Sequence, residues 1–525
     1  MIKKSTANVV AFLLISTASA FSHAENSTEA LEELNSSLSM MTFSHTLTLP
    51  FDHPLYALYA EVGFEPLWTS KDKLLELVHE LEALQFDGLD PRRYHIEELY
   101  LRIHQTEQTQ TMNEDLELLA TASMLKALSH LMYGKLKADE IEPMWRYERK
   151  RPIDQRHQAL LIKHRSNISA AFEHARPDFP LYQQLRSGYQ ALLAELKLHE
   201  WPFISEERPS IRLGDRDPRV VLIRERLRPS VDHPDPDLYD EALADAVIEF
   251  QKSFLLTTDG IVGPATLKAL NMSPADKLNQ IQVNLERMRW LANEMEAEMV
   301  LVDIAGAKLV YYDEALPVWE TRTQVGRPAR PTPLMKSRIT HFTFNPTWTI
   351  PPTILRQDKL PEIRRDISYL QRNNIRVIDS SGAELQASEV DWNNPGGIML
   401  RQDSGPANAL GQVVIRFPNS EAIYLHDTPS KRLFDRDQRA FSSGCVRVEN
   451  ALDLVSILME STQTPEAQQI DSLLNSRQTR NVSLRSSVPV LLGYWTAEAD
   501  ENGHIIFRPD IYNHDQRILT ALNAH

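Results

Sequence analysis

The spacing of apolar residues divides the chain into a helical part and a strand-rich part. Over the first part, apolar side chains recur every three or four positions, which is the period of an amphipathic helix. One face carries Leu74, Leu77, Val78, Leu81 and Leu84, and a second carries Leu118, Leu125, Leu128 and Met132. We therefore expect residues 45–205 to form a helical scaffold domain whose charged residues are most simply a solvated surface.

Residues 209–275 are predicted to form a compact unit of three short helices. Asp217 and Pro218 are typical of an N-cap followed by proline at the first helical position, and Pro264 suits the same position in the third helix. The segments 246–251 (AVIEFQ) and 259–266 (DGIVGPAT) resemble a peptidoglycan-binding domain of the three-helix type. A generic helical linker domain is the alternative.

After a connecting helix at 275–295, the apolar period changes from 3.6 to 2, which predicts strands. A hairpin is expected at 299–302 and 308–311. Further strands are expected at 318–325, 339–345, 413–417, 422–426, 488–495 and 505–507, with a short helix at 449–459. Residues 296–515 thus read as a mostly β domain.

The segment 352–412 interrupts these strands with charged, helical and turn-rich stretches. It is too long for an ordinary loop in a compact domain. We interpret it as an inserted lid or capping subdomain.

The N-terminus predicts export. Lys3 and Lys4 precede a short apolar core at 9–15, and Ser22-His23-Ala24 is a small-x-small cleavage site, with 18–20 a second option. Residues 1–24 are therefore interpreted as a signal peptide and 25–44 as a flexible leader. The expected location is a periplasm, with no membrane span in the mature chain.

Charge restricts the partners. Removal of residues 1–24 leaves 54 Lys and Arg against 72 Asp and Glu, a net charge of −18. Such acidity argues against nucleic acid and anionic membranes as partners. We expect no metal and no cofactor, because His233 in the second unit stands without a cluster of ligands.

The chain has one cysteine, Cys445, so it cannot form an intramolecular disulfide. A thiol retained in an exported protein is either a buried filler or a reagent. Thiolate is the nucleophilic form, and a nearby imidazole raises its fraction and later protonates a leaving amine. The best candidate is His426, 19 positions upstream, which in a strand shares a face with Tyr424.

The residues around the cysteine suggest further roles. Gly444 allows a sharp turn and close approach of a substrate. The backbone N–H groups of Ser442, Ser443 and Gly444 are candidate oxyanion donors. Arg447 is a candidate clamp for a substrate carboxylate, with a structural ion pair as the alternative.

These residues resemble the L,D-transpeptidase family with the YkuD-type catalytic domain. The pattern is a strand-borne histidine followed by Ser-x-Gly-Cys-x-Arg, here His426, Ser442, Gly444, Cys445 and Arg447. Upstream segments 325–326, 332–333 and 345–351 look like earlier strands of the family. Many members have histidine where this chain has Ser443, so a role for that histidine does not transfer. The domain order resembles the YcbB-like branch.

The resemblance implies a multidomain α+β protein: a helical N-terminal scaffold, a three-helix peptidoglycan-binding module and a mostly β L,D-transpeptidase catalytic domain with an inserted capping subdomain. It implies that Cys445 takes an acyl group from a tetrapeptide stem and passes it to the diaminopimelate of a neighbouring stem, giving a 3–3 cross-link. Trp348 and Tyr424 are candidate walls of the donor groove, with core packing as the alternative for both. Carbapenem sensitivity, a part in cell shape and contact with cell-wall synthesis proteins are further implications.

Other functions remain open from sequence. An L,D-carboxypeptidase would use water as the acceptor, and a related transferase would attach a lipoprotein to the wall. A third alternative is a non-catalytic peptidoglycan-binding scaffold. If His426 activates Cys445, acylation should fall at acid pH as imidazolium and thiol prevail, and a flat rate between pH 5 and 8 would contradict that pairing.

Overall fold

The computed structural model describes residues 54–109, 114–147, 156–196, 202–227, 234–500 and 503–524. The predicted signal peptide and leader lie outside these residues. The N-terminal helices are α1 Pro54–Glu61, α2 Lys71–Ala83, α3 Ile96–Thr109, α4 Glu114–Tyr133, α5 Ala138–Ile141, α6 Arg156–Lys163, α7 Ile168–Ala175 and α8 Pro180–Leu196. Short 3₁₀ turns occupy Leu84–Asp87 and Pro91–Tyr94. A helical N-terminal region is thus confirmed.

Helix α4 is the centre of the helical region. Every side chain from Leu116 to Leu131 is buried, so this helix is surrounded by others rather than exposed on one face. The expectation that charges here are solvated is wrong for Glu117, whose carboxylate accepts hydrogen bonds from the backbone of Leu67 and Trp68 and from the Tyr59 hydroxyl. A buried carboxylate needs such partners because it has lost its water.

The second unit contains α9 Arg219–Leu227, α10 Glu241–Ser253 and α11 Pro264–Leu270. Asp217 caps α9 by accepting from the Arg219 N–H at 2.8 Å. The buried side-chain amide of Gln251, in α10, forms hydrogen bonds with the turn at residues 259–261. Its oxygen accepts from the Gly260 N–H, and its nitrogen donates to the Asp259 carboxylate and the Ile261 carbonyl. These hydrogen bonds explain why the segments 246–251 and 259–266 occur together in the sequence.

Helix α12, Pro274–Leu291, joins the three regions and is buried along most of its length. Its N-terminus is a capping box, in which Ser273 and Asp276 each accept from the other's backbone N–H. Near its C-terminus, Arg289 and Glu286 form a fully buried ion pair at 2.6 Å. Glu286 also accepts from the Leu136 N–H, so the pair connects α12 to the helical region.

The strands are β1 Met299–Asp303, β2 Lys308–Asp313, β3 Leu316–Gly326, β4 Met335–Phe344, β5 Trp348–Thr349, β6 Ile375–Asp379, β7 Glu384–Leu385, β8 Ile398–Gln402, β9 Val413–Arg416, β10 Leu425–His426, β11 Ala440–Ser442, β12 Val446–Val448, β13 Arg480–Gly493, β14 Ala497–Ala499 and β15 Ile505–Phe507. Within the described residues, nine form one sheet in the order β11-β3-β12-β10-β9-β4-β13-β1-β2, and β2 also pairs with β3. The extra pairing closes eight of these strands on themselves, and β11 is attached to β3 outside this closed set.

The interior of this sheet is apolar and is covered at one end by α16 Ala451–Ser461 and α17 Ile470–Asn475. 3₁₀ turns occupy Lys431–Asp435 and Pro465–Gln469, and α18 Asp515–Asn523 packs on α12. The expected strand 422–426 is shorter than predicted, because Ala422 has a positive φ of 54° and only Leu425–His426 pairs.

Residues 348–402 fold apart from the closed sheet. Strands β5, β8, β6 and β7 form a small sheet in that order. With it pack α13 Pro352–Ile354, a π-helical turn Leu355–Lys359, α14 Leu360–Arg365, α15 Ser368–Arg372 and a 3₁₀ turn Ala387–Glu389. This cap has its own core, which includes Leu360, Ile363 and Leu400. The mixed α+β class is thus confirmed, while the predicted domain boundaries stay predictions.

Candidate active site

The pairing of β10 with β12 brings the candidate residues onto one face of the sheet. The strands are parallel, with His426 opposite Arg447 and Leu425 opposite Val446. Leu425 and Val446 are fully buried in the core, so His426 and Arg447 face the other side. One position earlier, the Val446 N–H donates to the Tyr424 carbonyl, which sets Tyr424 beside Cys445. His426 and Cys445 are therefore diagonal neighbours.

The Cys445 thiol is half-buried and lies against Tyr424. Burial raises the pKa of the Cys445 thiol. Hydrogen bonds from the backbone N–H and hydroxyl of Tyr424, and the charges of Arg447 and Arg416, oppose that rise without cancelling it. The Arg416 guanidinium lies 5.3 Å from the centre of the Tyr424 ring, which places a positive charge behind the phenol.

The His426 imidazole is held by backbone. Its Nδ1 lies 2.5 Å from the Asp427 carbonyl oxygen, and the Leu410 carbonyl also contacts the ring. The edge of the Tyr424 ring packs on the imidazole, with 5.6 Å between ring centres. Burial, reinforced by the charge of Arg447, lowers the pKa of His426 to about 3. The ring is therefore neutral at pH 7.

The two pKa directions favour a neutral thiol beside a neutral imidazole in the free protein. Burial disfavours the charged form of each group, and so it disfavours a ready-made thiolate–imidazolium pair. The criterion given from the sequence, that a flat acylation rate between pH 5 and 8 would contradict the pairing of His426 with Cys445, is therefore replaced. With His426 neutral down to about pH 3, the pairing predicts a loss of acylation only near that pH and a flat rate between pH 5 and 8.

Residues 442–445 form a tight turn, which we call the nucleophile turn. The Ser442 hydroxyl is buried, donates to the Cys445 carbonyl at 2.5 Å and accepts from the Gly444 N–H at 3.1 Å. Gly444 has a φ of 114°, a left-handed conformation that suits glycine. Thr332 donates its hydroxyl to the Gly444 carbonyl at 2.8 Å. The Ser443 hydroxyl accepts from Arg330 at 2.8 Å.

The remaining candidates divide between the site and the cap. Arg447 is half-buried and donates to Gln324 at 3.0 Å, and burial lowers its pKa. It makes that contact with a neutral amide, so the structural ion pair considered from sequence is not its arrangement here. Trp348 packs its half-buried side chain on the core of the cap. Of the two predicted aromatic walls, Tyr424 is the one in contact with Cys445.

Sequence reasoning missed several residues that hold the site. Gln324 faces Arg447 because β3 pairs with β12, and the Asp427 carboxylate accepts from the Gln412 N–H and from Lys431. Arg330 and Thr332, in the loop between β3 and β4, donate hydrogen bonds to the nucleophile turn. Long-range strand register decides most of these contacts. The available signals were the density of Arg and Pro at 327–333 and the resemblance of residues 332–333 to a segment of the family.

In the part of the chain that the structure describes, no three His, Cys, Asp or Glu side chains are grouped as metal ligands. In the same residues, no helix is both long and apolar enough to cross a bilayer.

Family models match three regions of the chain. Residues 297–465 match the YkuD L,D-transpeptidase catalytic domain, residues 216–270 a putative peptidoglycan-binding domain, and residues 53–188 a scaffold domain. The first match contains the closed sheet from β1 to β12 together with the cap and the candidate site.

A curated relative supports the same assignment. A putative L,D-transpeptidase of Haemophilus influenzae is 36% identical over 245 residues, which cover 46% of this chain and 49% of the relative. The chain thus matches about half the length of this relative.

Solved structures are more distant. An L,D-transpeptidase from Mycobacterium smegmatis is 12% identical, with 37% of this chain and 58% of that chain covered and a TM-score of 0.18. An L,D-transpeptidase from Xylanimonas cellulosilytica is 17% identical, and the match covers 55% of this chain and 99% of that chain with a TM-score of 0.17. Scores this low carry no argument. The family matches and the curated relative lead to the conclusion that this chain carries a YkuD-type L,D-transpeptidase catalytic domain together with a peptidoglycan-binding domain.

Proposed function

We propose that the protein is a periplasmic L,D-transpeptidase that forms 3–3 cross-links in peptidoglycan. The observation that carries the proposal is the face presented at β10 and β12, where Tyr424 contacts both Cys445 and His426 and Arg447 lies opposite His426, within the region matched to the catalytic domain. Stem peptides are the substrates, and the second helical unit would hold the enzyme on the wall.

In the acylation step, the Cys445 sulfur attacks the carbonyl carbon of the third stem residue, at its L,D bond to the terminal D-Ala. Because Nδ1 of His426 points at the Asp427 carbonyl and donates there, Nε2 is the nitrogen that accepts the thiol proton. That proton passes to the leaving amine. D-Ala departs and a thioester remains on Cys445.

In the second step, the side-chain amine of a neighbouring diaminopimelate attacks the thioester carbonyl. His426 takes a proton from this amine, the carbon–sulfur bond breaks, and the thiol is restored with its proton. Attack by water instead would give an L,D-carboxypeptidase. The acceptor therefore decides between cross-linking and hydrolysis.

The surroundings of the sulfur suit the charge that develops. Because the Gly444 N–H donates to the Ser442 hydroxyl, we propose the neighbouring N–H groups of Ser443 and Cys445 as the oxyanion donors. The Tyr424 hydroxyl stabilises the sulfur as it gains negative charge. Arg447, held by Gln324, is placed to bind a stem carboxylate.

Intact mass spectrometry after incubation with a carbapenem tests the nucleophile. We expect one adduct per chain in the wild type and none in Cys445→Ala, because the chain has no other thiol. Binding of Cys445→Ala to sacculi is the control for folding. A wild-type protein that binds sacculi and never forms an adduct would instead be a wall-binding scaffold.

Muropeptide profiling of tetrapeptide-rich sacculi incubated with the purified protein tests the acceptor. New tetrapeptide–tripeptide dimers are the expected product, since a diaminopimelate amine resolves the thioester. Tripeptides without dimers would replace the proposal with a carboxypeptidase.

A further inference from the structure

Arg330 connects the cap to the nucleophile turn. One terminal nitrogen donates to the Asp358 carboxylate at 2.6 Å and to the Ser443 hydroxyl at 2.8 Å. The other donates to the Gln357 side chain and to Asp358. Asp358 and Gln357 belong to the cap, whereas Ser443 lies two residues before Cys445. One guanidinium therefore holds two parts of the protein that have separate hydrophobic cores.

The loop that carries Arg330 is itself fixed on the nucleophile turn. The Arg327 N–H donates to the Ser442 carbonyl at 3.0 Å, and Thr332 donates to the Gly444 carbonyl. Each of the residues 442, 443 and 444 thus receives a hydrogen bond from residues 327–332. From the opposite side, the Tyr512 hydroxyl bonds both Gly326 and Thr332. A side chain on this loop consequently moves with the nucleophile turn.

On the side of the cap, the contact falls on the π-helical turn Leu355–Lys359. Such turns interrupt the regular helical hydrogen bonds and occur frequently at functional sites. Arg327 adds a second ion pair to Asp358 at 3.1 Å. Burial raises the pKa of Asp358, but Arg330 and Arg327 hold this pKa below its ordinary value, so the carboxylate stays charged. Arg330 is 12% exposed, so solvent screens this pair less than an open surface pair.

We propose that Arg330 is a positioning residue that couples closure of the cap to the shape of the nucleophile turn. The expected effect on catalysis rests on the proposed function. The coupling itself rests only on the contacts described above. When Asp358 sits on Arg330, the guanidinium is oriented to hold Ser443, and Cys445 is presented beside Tyr424. When the cap leaves, Arg330 loses its main partner and its hold on Ser443 weakens.

Hydrogen–deuterium exchange of the full chain tests the coupling without any substrate. Asp358→Ala should speed exchange in the cap and also in residues 440–447, although Asp358 touches none of these. Ser443→Ala should loosen residues 440–447 and leave the cap close to wild type. Arg330→Lys should resemble Arg330→Ala at the nucleophile turn, because the single ammonium group of lysine cannot replace the two terminal nitrogens of the guanidinium.

The matched control is Arg376→Ala. It removes an ion pair of 3.6 Å to Glu384 in the cap and one of 2.7 Å to Asp403, the residue that directly follows the cap. This change should leave exchange at residues 440–447 as in wild type. If Asp358→Ala also leaves that segment unchanged, the coupling is refuted, whatever the protein's reaction.

Kinetics then test the consequence. Acylation by a carbapenem should fall at least about tenfold in Arg330→Ala and Asp358→Ala, since misplacement of reacting groups is costly. The double variant should be close to Arg330→Ala, because the shared contact between Arg330 and Asp358 is already lost there and Asp358→Ala adds only the loss of the ion pair to Arg327. Alkylation by iodoacetamide, which needs no oriented carbonyl, should stay within about twofold. Absence of carbapenem acylation in the wild type would defeat the proposed function, and the exchange result would still decide the coupling.

Discussion

At the scale of single residues, burial determines how Cys445 and His426 can react. It moves the pKa of the thiol up and that of the imidazole down to about 3, so both groups are uncharged over a wide range. In the proposed reaction, proton transfer would therefore accompany the attack of sulfur rather than precede it, with His426 as the general base.

The pH profile of acylation follows from these pKa directions. A lowered imidazole pKa means that the base is competent above about pH 3 and is lost only as pH falls through that value. We expect the second-order rate of carbapenem acylation, measured by stopped flow, to stay nearly constant between pH 5 and 8. A rise of about tenfold per pH unit over this range would instead indicate reaction through a rare free thiolate.

The residue-level candidates were accessible from sequence to different degrees. The Ser-x-Gly-Cys-x-Arg pattern and the upstream histidine were visible because local spacing displays them. A partner such as Gln324, which binds Arg447, was not visible, because it is supplied by the pairing of strands far apart in sequence. The roles of these candidates as a catalytic set remain a proposal.

At the scale of elements, the loop between β3 and β4 depends on one glycine. A Cβ added at Gly326 would lie 2.3 Å from the Arg330 carbonyl oxygen and 2.6 Å from the Thr332 nitrogen. These are backbone atoms, so no side chain can rotate away. The loop that fixes the nucleophile turn can therefore fold over β3 only where a residue lacks a side chain.

Substitution of this glycine should disturb both stability and the site. We expect Gly326→Ala to cost about 1–3 kcal/mol, as overpacking does, and to lower the rate of carbapenem acylation. Thermal unfolding followed by circular dichroism measures the first effect. The control is Gly396→Ala, where an added Cβ meets nothing within 4 Å. Equal thermal stabilities of the two variants would contradict the close approach at Gly326.

Elements also show where periodicity misled. The pattern predicted helices and strands well where one face is solvated, as in α2 with its buried Leu74, Leu77 and Val78. It predicted a single apolar face for α4, yet this helix is buried on all sides. A helix inside a bundle can bury Ala, Ser and Thr as well as Leu, so the apolar pattern understates its contacts.

At the scale of the whole molecule, α12 holds the helical region, the second unit and the closed sheet together. The buried pair of Glu286 and Arg289 attaches α12 to the helical region. Arg289 donates to the Asp87 carbonyl, and Glu286 accepts from the Leu136 N–H and the Trp290 indole N–H. Loss of one charge would leave the other buried without its counterion, which is strongly destabilising.

A charge-removing change at this point should weaken the attachment of α12 to the helical region. We expect Glu286→Gln to destabilise the protein by about 3–5 kcal/mol and to lower the first thermal unfolding midpoint. The matched control is Glu249→Gln, which breaks a pair to Lys252 with the same helical spacing on an exposed surface. That change should cost under about 1 kcal/mol. If calorimetry finds equal shifts for the two variants, the buried pair does not hold the regions together.

The sequence by itself determined the class of each region and the candidate nucleophile, because hydrophobic period, capping residues and a short motif are local properties of the chain. Only the tertiary structure decided which strands pair, which charges are buried and which loop grips the nucleophile turn. These contacts join residues that are far apart in sequence, such as Arg330 with Ser443 and Leu136 with Glu286. Their energies depend on burial and register, which exist only once the chain has folded.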